Sequence, residues 1–506
     1  SPGKEMGMNP WKIGFVGTDG RTLLAALETS RATSELYPGD YRGLVVRGTP
    51  AMPEWAKGVG WPVDFLPVAD HAAPAYAEVL IRAFREGALD AALVMPESLL
   101  FEGLVDLVAA AGFGARIIGL SREAAFVEAD KIACKRLCRE AGIPVAPAWA
   151  EADARDYRSV LGTCLEYLHE FGGAVLKYPY AAGGKGARII GSTWEIREVY
   201  ELLLNDYRDA YRKEFGKHAQ WPLLIESRLA GVEISFTILV DKDGHHRFLP
   251  TAMDYPERFA GPPGLENPIT GGMGSISPHP LESPELLALA EETIARPLIA
   301  KMRERGLLRQ CVLYPGCFAS FGRDFTPSAI QVSEINIRPG EPEFQPIAKR
   351  LRNLGPLLRA MVEGRLNEVA PEVRSDQISL CLALVTGPGG PKQQKGYPWS
   401  LTKGEALEVD GDYFDKKKIT VIPSAMDCDE GVFKSDGSRV AYLVANATVK
   451  EGQLRGQAVE TLRQKLLNAF DLGKIRVRPR ENPAGNRLDL RRDIGLHYRI
   501  AELLRP

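Results

Sequence analysis

The sequence lacks several features, and each absence excludes a class of protein. It has no apolar run long enough to cross a bilayer, and its start, SPGKEMGMNP, lacks the basic-then-apolar order of a signal peptide. Its 63 basic and 65 acidic residues nearly balance, which gives no global attraction to nucleic acid or anionic membranes. Its seven cysteines form no C-x-x-C pair and have no histidine at zinc spacing. We therefore expect a cytoplasmic protein with reduced cysteines, no nucleic-acid or membrane partner, and anion sites that are built locally.

The N-terminal third of the chain alternates short apolar strands with helical patterns. A chain of 506 residues exceeds what one hydrophobic core supports, so three or four lobes are expected. From Trp11 the stretch WKIGFVGTDGRTLLAALETS reads as a strand, a Gly-bearing turn and a helix, which is typical of a doubly wound sheet. The alternation continues to about residue 123. We predict an N-terminal α/β domain over residues 11–123.

The rest of the chain changes to longer alternating strands. A helix is predicted from about Glu123 to Ala141, ended by the prolines of GIPVAPAW. WPLLIESRLAGVEISFTILVD alternates like paired antiparallel strands, and LRQCVLYPGCFASF and SAIQVSEINIRPG indicate two more. From about Arg374 two further strands precede a helix from Glu451 to Phe470. The predicted fold class is a multi-lobe α/β and α+β protein, with a core domain over 124–372, a smaller subdomain at about 144–221 and a mixed C-terminal domain over 373–506.

The stretch SEINIRPGEPEFQPI contains a candidate metal site. On a strand, Glu334 and Asn336 point to the same face, and Arg338 follows on that face if the strand continues. Carboxylate and amide oxygens suit Mg²⁺, and a guanidinium fork suits a phosphate or a carboxylate. For a Glu-x-Asn pattern on its own, however, a solvated strand face with a local ion pair is the commoner explanation.

The stretch LKYPYAAGGKGARIIG places two lysines eight positions apart around a Gly-rich turn. Lys177 ends an apolar strand, and Lys185 follows glycines whose backbone N–H groups can cradle phosphate oxygens. It is not a P-loop, because no Gly-Lys-Ser/Thr is present. A phosphate-binding turn and a surface hairpin with solvated lysines explain this stretch equally well.

Other charged positions are weak signals on their own. LLIESRLAGVEISF carries Glu226 and Glu233 on a hairpin or a short strand connection, where carboxylates suit an adenine edge and ribose hydroxyls respectively. EADKIACKRL carries Lys131, which an ordinary helix surface explains as well. Only the order of all these residues along the chain is informative.

In that order they match the layout of the ATP-grasp fold, and the sequence resembles the phosphoribosylamine–glycine ligase (glycinamide ribonucleotide synthetase) family. The resemblance runs from about Lys12 to the C-terminus. Its most specific stretches are TGGMGSISPHP, SEINIRPGEPEFQPI and RRDIGLHYR, supported by DKIACKRLCREAGIPVAPAW, AAGGKGA, RLAGVEISF, DYPER and VLYPGC. It identifies the core domain as an ATP-grasp domain, the subdomain as its flap, and the N-terminal domain as the one that precedes it in such enzymes.

The resemblance implies an ATP-dependent carboxylate–amine ligase of purine synthesis. In the family, phosphoribosylamine, glycine and ATP give glycinamide ribonucleotide, ADP and phosphate through an acyl phosphate. Such phosphoryl transfer needs charge neutralisation and alignment more than a covalent residue, which agrees with the absence of a Ser-His-Asp or Cys-His constellation. The implied cofactors are ATP and Mg²⁺ or Mn²⁺, and the implied partners are small-molecule amine and amino-acid substrates of a monomer or small homo-oligomer.

The resemblance also assigns roles to individual residues. The ATP contacts it implies are Lys131 and Lys177 at the phosphates, Lys185 on the flap, Glu226 at the adenine and Glu233 at the ribose. The catalytic set it implies is Arg338, Lys177, Asp254 and Arg258, and the metal ligands are Glu334 and Asn336. The substrate-binding set it implies is Gly20, Arg21, Glu97, Thr270, Gly271, Gly272, Met273 and Glu341.

The departures from the family pattern lie mostly on the amine and acyl side. TDGRTLLA keeps Gly20 and Arg21 but has Thr22 and Leu23 in place of the Glu and His found where the family meets a phosphoribosyl phosphate. Arg21 at a helix start is still expected to bind a phosphate. Ile269 replaces an Asn, and Phe344 replaces a Thr.

Three hypotheses follow from this pattern. The first is a divergent phosphoribosylamine–glycine ligase. The second is a paralogous ligase of specialised metabolism that keeps the ATP residues and joins a different amine to a different carboxylate. The third is an inactive ATP-binding scaffold, which the intact Lys177, Glu334, Asn336 and Arg338 disfavour because such polar groups would otherwise be free to change.

Overall fold

The computed structural model describes residues 9–32, 40–180, 186–217, 219–264, 266–387 and 395–498. Lys185 and the C-terminal end of RRDIGLHYR lie outside these residues. Within them the strands form five separate sheets. No helix in the described ranges combines the length and the apolarity of a membrane span. Six of the seven cysteines are buried, Cys428 is partly buried, and none is in a disulfide.

The N-terminal lobe is built on a parallel sheet of five strands in the order β3-β2-β1-β4-β5. Its central strand β1 is apolar and mostly buried, as expected for a sheet covered by helices on both faces. The elements are β1 (Trp11–Gly17), α1 (Gly20–Ser30), β2 (Tyr41–Arg47), α2 (Ala51–Gly58), β3 (Asp64–Leu66), α3 (Ala73–Arg85), β4 (Ala91–Val94), α4 (Glu97–Phe101), α5 (Leu104–Val108) and β5 (Ile117–Ile118). The predicted doubly wound lobe is confirmed.

The predicted helix from Glu123 to Ala141 is two helices, α6 (Phe126–Ala129) and α7 (Lys131–Glu140). The break falls at Asp130, whose backbone is extended and whose carboxylate accepts hydrogen bonds from the N–H groups of Ile132 and Ala133, both at 3.0 Å. An aspartate in this position satisfies N–H groups that have no partner in the helix. Lys131 therefore lies at the start of a helix.

The flap lobe is an antiparallel sheet in the order β6-β9-β7-β8, covered by two helices. It has a hydrophobic core of its own, in which Tyr178, Tyr211 and Leu203 are buried. The elements are β6 (Trp149–Asp153), α8 (Tyr157–Phe171), β7 (Ala174–Lys177), β8 (Ala187–Ile190), α9 (Ile196–Phe215) and β9 (Pro222–Ser227).

The central lobe is a second antiparallel sheet, in the order β10-β15-β11-β12, and β16 pairs along the other edge of β15. The elements that follow the flap are β10 (Val232–Ser235), β11 (Ile238–Val240), β12 (His246–Phe248), β13 (Met253–Asp254), β14 (Gly274–Ser277), α10 (Pro284–Ala290), α11 (Arg296–Glu304), β15 (Cys311–Phe321), β16 (Pro327–Asn336), α12 (Phe344–Arg350) and α13 (Leu354–Glu363).

The predicted pairing within residues 221–241 differs in the structure. Strand β9 pairs with β6 and β7 in the flap sheet, whereas β10 pairs with β15 in the central sheet. The connection passes Gly231, whose φ is +113° and where a side chain would meet the Ala319 carbonyl oxygen at 2.5 Å. Only glycine tolerates that approach. Glu226 and Glu233 therefore come from opposite sheets.

The C-terminal lobe combines two antiparallel sheets with one long helix. One sheet has the order β13-β14-β17-β22-β19 with β24 on β17, and the other has the order β20-β21-β18-β23. The elements are β17 (Gln377–Thr386), β18 (Lys403–Val409), α14 (Gly411–Lys417), β19 (Thr420–Pro423), β20 (Met426–Asp429), β21 (Val432–Asp436), β22 (Arg439–Thr448), α15 (Arg455–Asp471), β23 (Ile475–Val477) and β24 (Leu488–Asp489). Because β13 and β14 join this sheet, the sheet spans the proposed boundary at residue 372.

Candidate active site

A cleft of about 370 Å³ lies between the flap sheet and the central sheet. Strands β7, β8 and β9 line one side, and β10, β15 and β16 line the other. The structure brings these sequence-predicted site residues together in its lining: Lys131, Lys177, Glu226, Glu233, Asp254, Thr270, Gly271, Glu334, Asn336, Arg338 and Glu341. It does not bring Gly20, Arg21, Glu97, Arg258, Gly272 and Met273 into the described lining.

Glu226 joins two lysines at one side of the cleft. Its carboxylate lies 2.5 Å from Nζ of Lys177 and forms a second ion pair with Lys135. The exposed fraction of each side chain is below a tenth. Both ammonium groups also reach Ser333 of β16, Lys177 at the hydroxyl and Lys135 at the carbonyl, each at 3.3 Å. The flap sheet, helix α7 and the central sheet are therefore joined by one buried ionic group.

This arrangement fixes the protonation state of Glu226 and of Lys177. Burial alone would raise the pKa of Glu226, but Lys177 and Lys135 hold that pKa below its usual value. Burial alone would lower the pKa of Lys177, but Glu226 raises it above its usual value. Lys177 therefore stays charged inside the cleft, as a phosphate-binding lysine must.

The triad formed by Lys135, Glu226 and Lys177 was only partly predicted from the sequence. The carboxylate of Glu226 is engaged by the two lysines, and its contact with an adenine stays a prediction. Lys135 was missed, although DKIACKRL places it four residues after Lys131 and so on the same face of a helix. That spacing is the signal that would have found it.

Lys131 lies at the first turn of α7 and lines the cleft. Its backbone N–H donates to the Pro179 carbonyl at 3.0 Å, which links the helix start to the segment after β7. Burial lowers the pKa of Lys131, and the nearby Glu334 opposes that shift. Such a lysine gains from any added negative charge, including that of a phosphate.

Glu334 and Asn336 form the candidate metal site. Both lie on β16 and line the cleft, while Ile335 between them is buried on the other face. The amide nitrogen of Asn336 lies 3.4 Å from Oε1 of Glu334 and 3.4 Å from the Tyr314 carbonyl oxygen. Hard oxygen ligands side by side, within the same cleft as two lysines, fit a divalent cation that accompanies a polyphosphate.

Arg338 connects this site to the N-terminal lobe. Its guanidinium lies 3.3 Å from Glu97 and 3.1 Å from Glu128, and the other oxygen of Glu128 accepts from the Ile337 N–H at 2.8 Å. Glu97 is thus placed beside Arg338 at the edge of the cleft. Two carboxylates therefore hold one guanidinium in place.

The start of helix α1 is closed to a ligand in this structure. Arg21 is buried and makes a two-point contact with Asp19, at 3.1 and 2.7 Å, and a further contact with the Pro339 carbonyl. The Gly20 N–H donates to the Ser424 hydroxyl at 3.1 Å. Thr22 and Leu23 are fully buried. The expectation that Arg21 binds a substrate phosphate stays a prediction, and its guanidinium is already engaged by groups of the chain.

Glu341 of the central lobe is held by residues from the two other large lobes, the N-terminal and the C-terminal. Arg21 approaches it to 3.9 Å, Arg439 approaches it to 3.7 Å, and the Tyr442 hydroxyl donates to it at 2.8 Å. Arg439 also donates to the Gly271 carbonyl at 2.6 Å. Arg439 and Tyr442 were missed in the sequence, because SRVAYLVANATV reads as an ordinary buried strand.

Three other predicted or divergent positions are buried and lie outside the described cleft lining, so the roles predicted for Arg258 and Met273 stay predictions. Arg258 is 1% exposed, donates to the Tyr397 carbonyl at 2.8 Å and pairs with Asp489 at 2.6 Å. Met273 and Phe344 lie in the main hydrophobic core. Ile269, in contrast, lines the cleft.

One part of the cleft is strongly acidic. Glu233, Asp254 and Glu343 line it, and none of them has an ion-pair partner within the described ranges. Burial between the cleft walls removes solvent from Glu233 and, together with the nearby carboxylates of Glu257, Glu334 and Glu343, raises its pKa to about 7. The side chain nevertheless opens into the cleft. Burial, with Glu343 and Glu233, raises the pKa of Asp254 well above its usual value. Glu343 was missed in the sequence.

Two facing antiparallel sheets, with a buried lysine on one and an acid–amide pair on the other, define an ATP-grasp protein. Residues 129–344 match the family model of the phosphoribosylglycinamide synthetase ATP-grasp (A) domain. The phosphoribosylamine–glycine ligase of Rhodopirellula baltica is 30% identical over 379 residues, 74% of this chain and 79% of that protein. That of Agrobacterium fabrum is 29% identical over 454 residues, 88% of this chain and 94% of that protein. The chain belongs to the phosphoribosylamine–glycine ligase family.

Solved structures show the same fold. The phosphoribosylamine–glycine ligase of Thermotoga maritima superposes with a TM-score of 0.66 at 21% identity, covering 96% of this chain and all of that one. The biotin carboxylase domain of Hydrogenobacter thermophilus 2-oxoglutarate carboxylase, solved with MgADP and bicarbonate, superposes with a TM-score of 0.59 at 18% identity over 91% of this chain and 90% of that one. The predicted fold class is confirmed.

Replacing Glu226 by Gln is expected to destabilise the fold. It leaves Lys135 and Lys177 buried without a counter-charge, which costs about 3–5 kcal/mol. Urea denaturation measures the change in the free energy of unfolding. Glu151→Gln on the neighbouring strand β6 is the matched control, because its pair with Arg136 is exposed, and it should change little. Equal stability of the two variants would contradict the role given to the triad.

Replacing Asp130 by Ala tests whether the cap of α7 positions Lys131. Loss of the cap costs about 1 kcal/mol of stability and should also weaken ATP binding, measured by calorimetric titration. Asp156→Ala removes the equivalent cap of α8, whose carboxylate accepts from the Ser159 N–H, and it should cost similar stability. Because Asp156 is remote from the cleft lining, ATP binding should be unchanged. A similar loss of ATP affinity in both variants would refute the positioning role.

Proposed function

We propose that the protein joins glycine to phosphoribosylamine at the expense of ATP, forming glycinamide ribonucleotide, ADP and phosphate through an acyl phosphate. The observation that carries this proposal is the single cleft in which Lys131 and Lys177 face Glu334 and Asn336. Cations for a polyphosphate and oxygen ligands for its metal lie together, and the described lining residues include no histidine or cysteine for a Ser-His-Asp or Cys-His constellation. The two substrates of the proposal, phosphoribosylamine and glycine, are taken from the names of the related enzymes.

The nucleotide-binding role belongs to the lysine side of the cleft. Lys177, held charged by Glu226, neutralises phosphate oxygens, and Lys131 adds a second cation from the start of α7. Glu233 is proposed at the ribose, Glu226 near the adenine, and Lys185 on the flap. Charge neutralisation and alignment by fixed groups is the main contribution a protein makes to phosphoryl transfer.

The metal-binding role belongs to β16. Glu334 and Asn336 would hold Mg²⁺ or Mn²⁺, which would neutralise phosphate charge during the transfer. Support for a metal comes from the donor set and from the related fold solved with MgADP. Arg338, held by Glu97 and Glu128, is proposed to orient the substrate carboxylate or the transferred phosphoryl group. Thr270 and Gly271 line the same cleft and are proposed to face the acyl group.

A second candidate function is ligation of an amine that carries no phosphate. It is favoured by the closed start of α1, where Arg21 is engaged by Asp19 and the Gly20 N–H by Ser424. A phosphate at this place would have to displace those contacts. Release of ADP with glycine should be measured with phosphoribosylamine and with a panel of unphosphorylated primary amines. Turnover with phosphoribosylamine supports the first function, turnover with other amines alone supports the second, and no turnover with any amine contradicts both.

Two substitutions test the nucleotide and metal roles separately. Lys177→Ala should lower kcat/KM for ligation by at least about 100-fold, because it removes a charge that phosphoryl transfer requires. Glu334→Gln should cause a similar loss with a raised Mg²⁺ requirement, because it weakens one metal ligand. Lys242→Ala removes an exposed lysine outside the cleft lining and serves as the control. Wild-type ligation in either test variant would overturn the assignment.

A further inference from the structure

The segment that follows β7 joins the flap lobe to helix α7. The Tyr178 N–H donates to the Gly186 carbonyl at 2.9 Å, which continues the pairing of β7 with β8. The next carbonyl along the chain, that of Pro179, accepts from the Lys131 N–H at 3.0 Å. An N–H at the first position of a helix cannot be paired within that helix. One short segment therefore follows Lys177 directly and holds the backbone of Lys131, and both lysines line the cleft.

Aromatic side chains of helix α9 pack against the same segment. The buried ring of Tyr178 stacks on that of Tyr207, with centroids 4.4 Å apart and planes inclined by 10°, and meets the Tyr211 ring edge-on at 5.0 Å. The ring of Tyr180 lies 5.7 Å from that of Phe215. The three rings of α9 recur every four residues and so share one face of the helix. The carbonyl that binds α7 therefore belongs to a residue whose two neighbours both pack on α9.

Helix α9 is itself anchored away from the cleft. The Tyr211 hydroxyl donates to the Pro222 carbonyl at 2.8 Å, and its ring stacks on that of Trp221 with centroids 5.0 Å apart. Arg188 of β8 forms an ion pair with Asp206 of α9 at 2.6 Å. No residue of α9 belongs to the cleft lining that the structure describes. Any effect of α9 on the cleft is therefore indirect.

The alternation of side chains along an extended segment connects the rings to the site. Neighbouring side chains point to opposite faces, so Tyr178 packs on α9 while Lys177 faces the cleft. We propose that Tyr207 is a positioning residue for ATP binding, which acts through the stack on Tyr178 and the Pro179 carbonyl on the two nucleotide lysines. This inference rests on the proposed nucleotide role of those lysines.

A rigid support matters here because the two lysines repel each other. Burial lowers the pKa of Lys131, and the positive charge of Lys177 lowers it further. Like charges move apart unless the backbone holds them, and a site that already has its bound geometry binds without an ordering cost. Aromatic pairs have a preferred geometry and a contact energy beyond that of buried area alone. The stack on α9 therefore supplies a fixed support on the side of the segment that faces away from the nucleotide.

Replacing Tyr207 by Ala should weaken ATP binding by about 3- to 10-fold, the range expected for the loss of one aromatic pair. Calorimetric titration with a non-hydrolysable ATP analogue and Mg²⁺ measures this without either of the other substrates. In ADP-release kinetics the KM for ATP should rise by the same factor, while kcat and the KM for glycine stay within about 2-fold. Tyr207→Phe keeps the ring and should restore the wild-type values.

The matched control is Tyr200→Ala. Tyr200 is a buried ring on the same helix, but it packs on Tyr157 of α8 at 4.9 Å and donates to the Ala154 carbonyl at 2.7 Å. Its loss should lower stability in urea denaturation at least as much as Tyr207→Ala does, and it should leave ATP affinity unchanged. Equal losses of ATP affinity in both variants would show that flap stability alone decides, and would overturn the proposal. Unchanged affinity in Tyr207→Ala would also overturn it.

Two further variants keep the test decisive. Phe215→Ala removes the ring that packs on Tyr180, so it should weaken ATP binding in the same direction and provides the measurement if Tyr207→Ala does not fold. Adding Tyr207→Ala to Tyr178→Ala should cause no further loss of affinity, because the two rings form one contact. Additive losses would refute the route through Tyr178. No binding of the ATP analogue by the wild-type protein would overturn the proposed function, whereas wild-type binding that Tyr207→Ala leaves intact would overturn the positioning role alone.

Discussion

The ion triad of Lys135, Glu226 and Lys177 is the interaction on which the candidate site depends. A carboxylate buried to this extent is tolerated only because two ammonium groups contact it, and each ammonium is tolerated only because of the carboxylate. The three side chains come from a helix and from two strands of the flap sheet, and the lysines also contact Ser333 of the central sheet. The triad therefore sets the distance between the two sheets as well as the charge in the cleft.

A second ionic group joins the lobes at the other end of the cleft. Glu341 from the central lobe is approached by Arg21 from the N-terminal lobe and by Arg439 and Tyr442 from the C-terminal lobe. Strands β13 and β14 strengthen this connection, because they belong to the sheet of the C-terminal lobe while their chain segment lies within the ATP-grasp region. The segment that carries Asp254 and the Gly271 turn is consequently held by the C-terminal lobe, and the substrate side of the cleft is built from all three lobes.

The sequence predicted those features that depend on local pattern. The spacing of Glu334 and Asn336 requires that both face one side of a strand, and the structure places both in the cleft. Strand alternation predicted β15, β16, β17 and β22 correctly, because each is a long strand with a buried face. Pattern alone did not reveal that β9 and β10 enter different sheets, since neighbouring strands usually pair and only the close approach at Gly231 distinguishes this connection.

Features that depend on long-range charge pairing were not predictable. Glu226 looks like a strand-end carboxylate, and only its contacts with Lys135 and Lys177 show that it is engaged. Arg258 lies in a specific motif but holds Tyr397 and Asp489, which are 139 and 231 residues away. In each case the side chain's role is decided by a partner whose position along the chain carries no local signal, and this is why a motif identifies a residue more reliably than its role.

The two sides of the cleft differ in how their charges are balanced, and this difference explains where the chain has diverged. On the nucleotide side every buried charge of the triad has a partner within the chain, so a substitution there leaves an opposite charge buried alone. On the acyl side Asp254 and Glu343 lack an ion-pair partner in the described residues, and burial together with the neighbouring carboxylates raises the pKa of Asp254. Near the start of α1 the opposite holds, because Asp19 and Pro339 already satisfy Arg21 and no ligand charge is needed. Constraint is therefore greatest where charges depend on each other, and residues such as Leu23 and Ile269 can change because no buried charge depends on them.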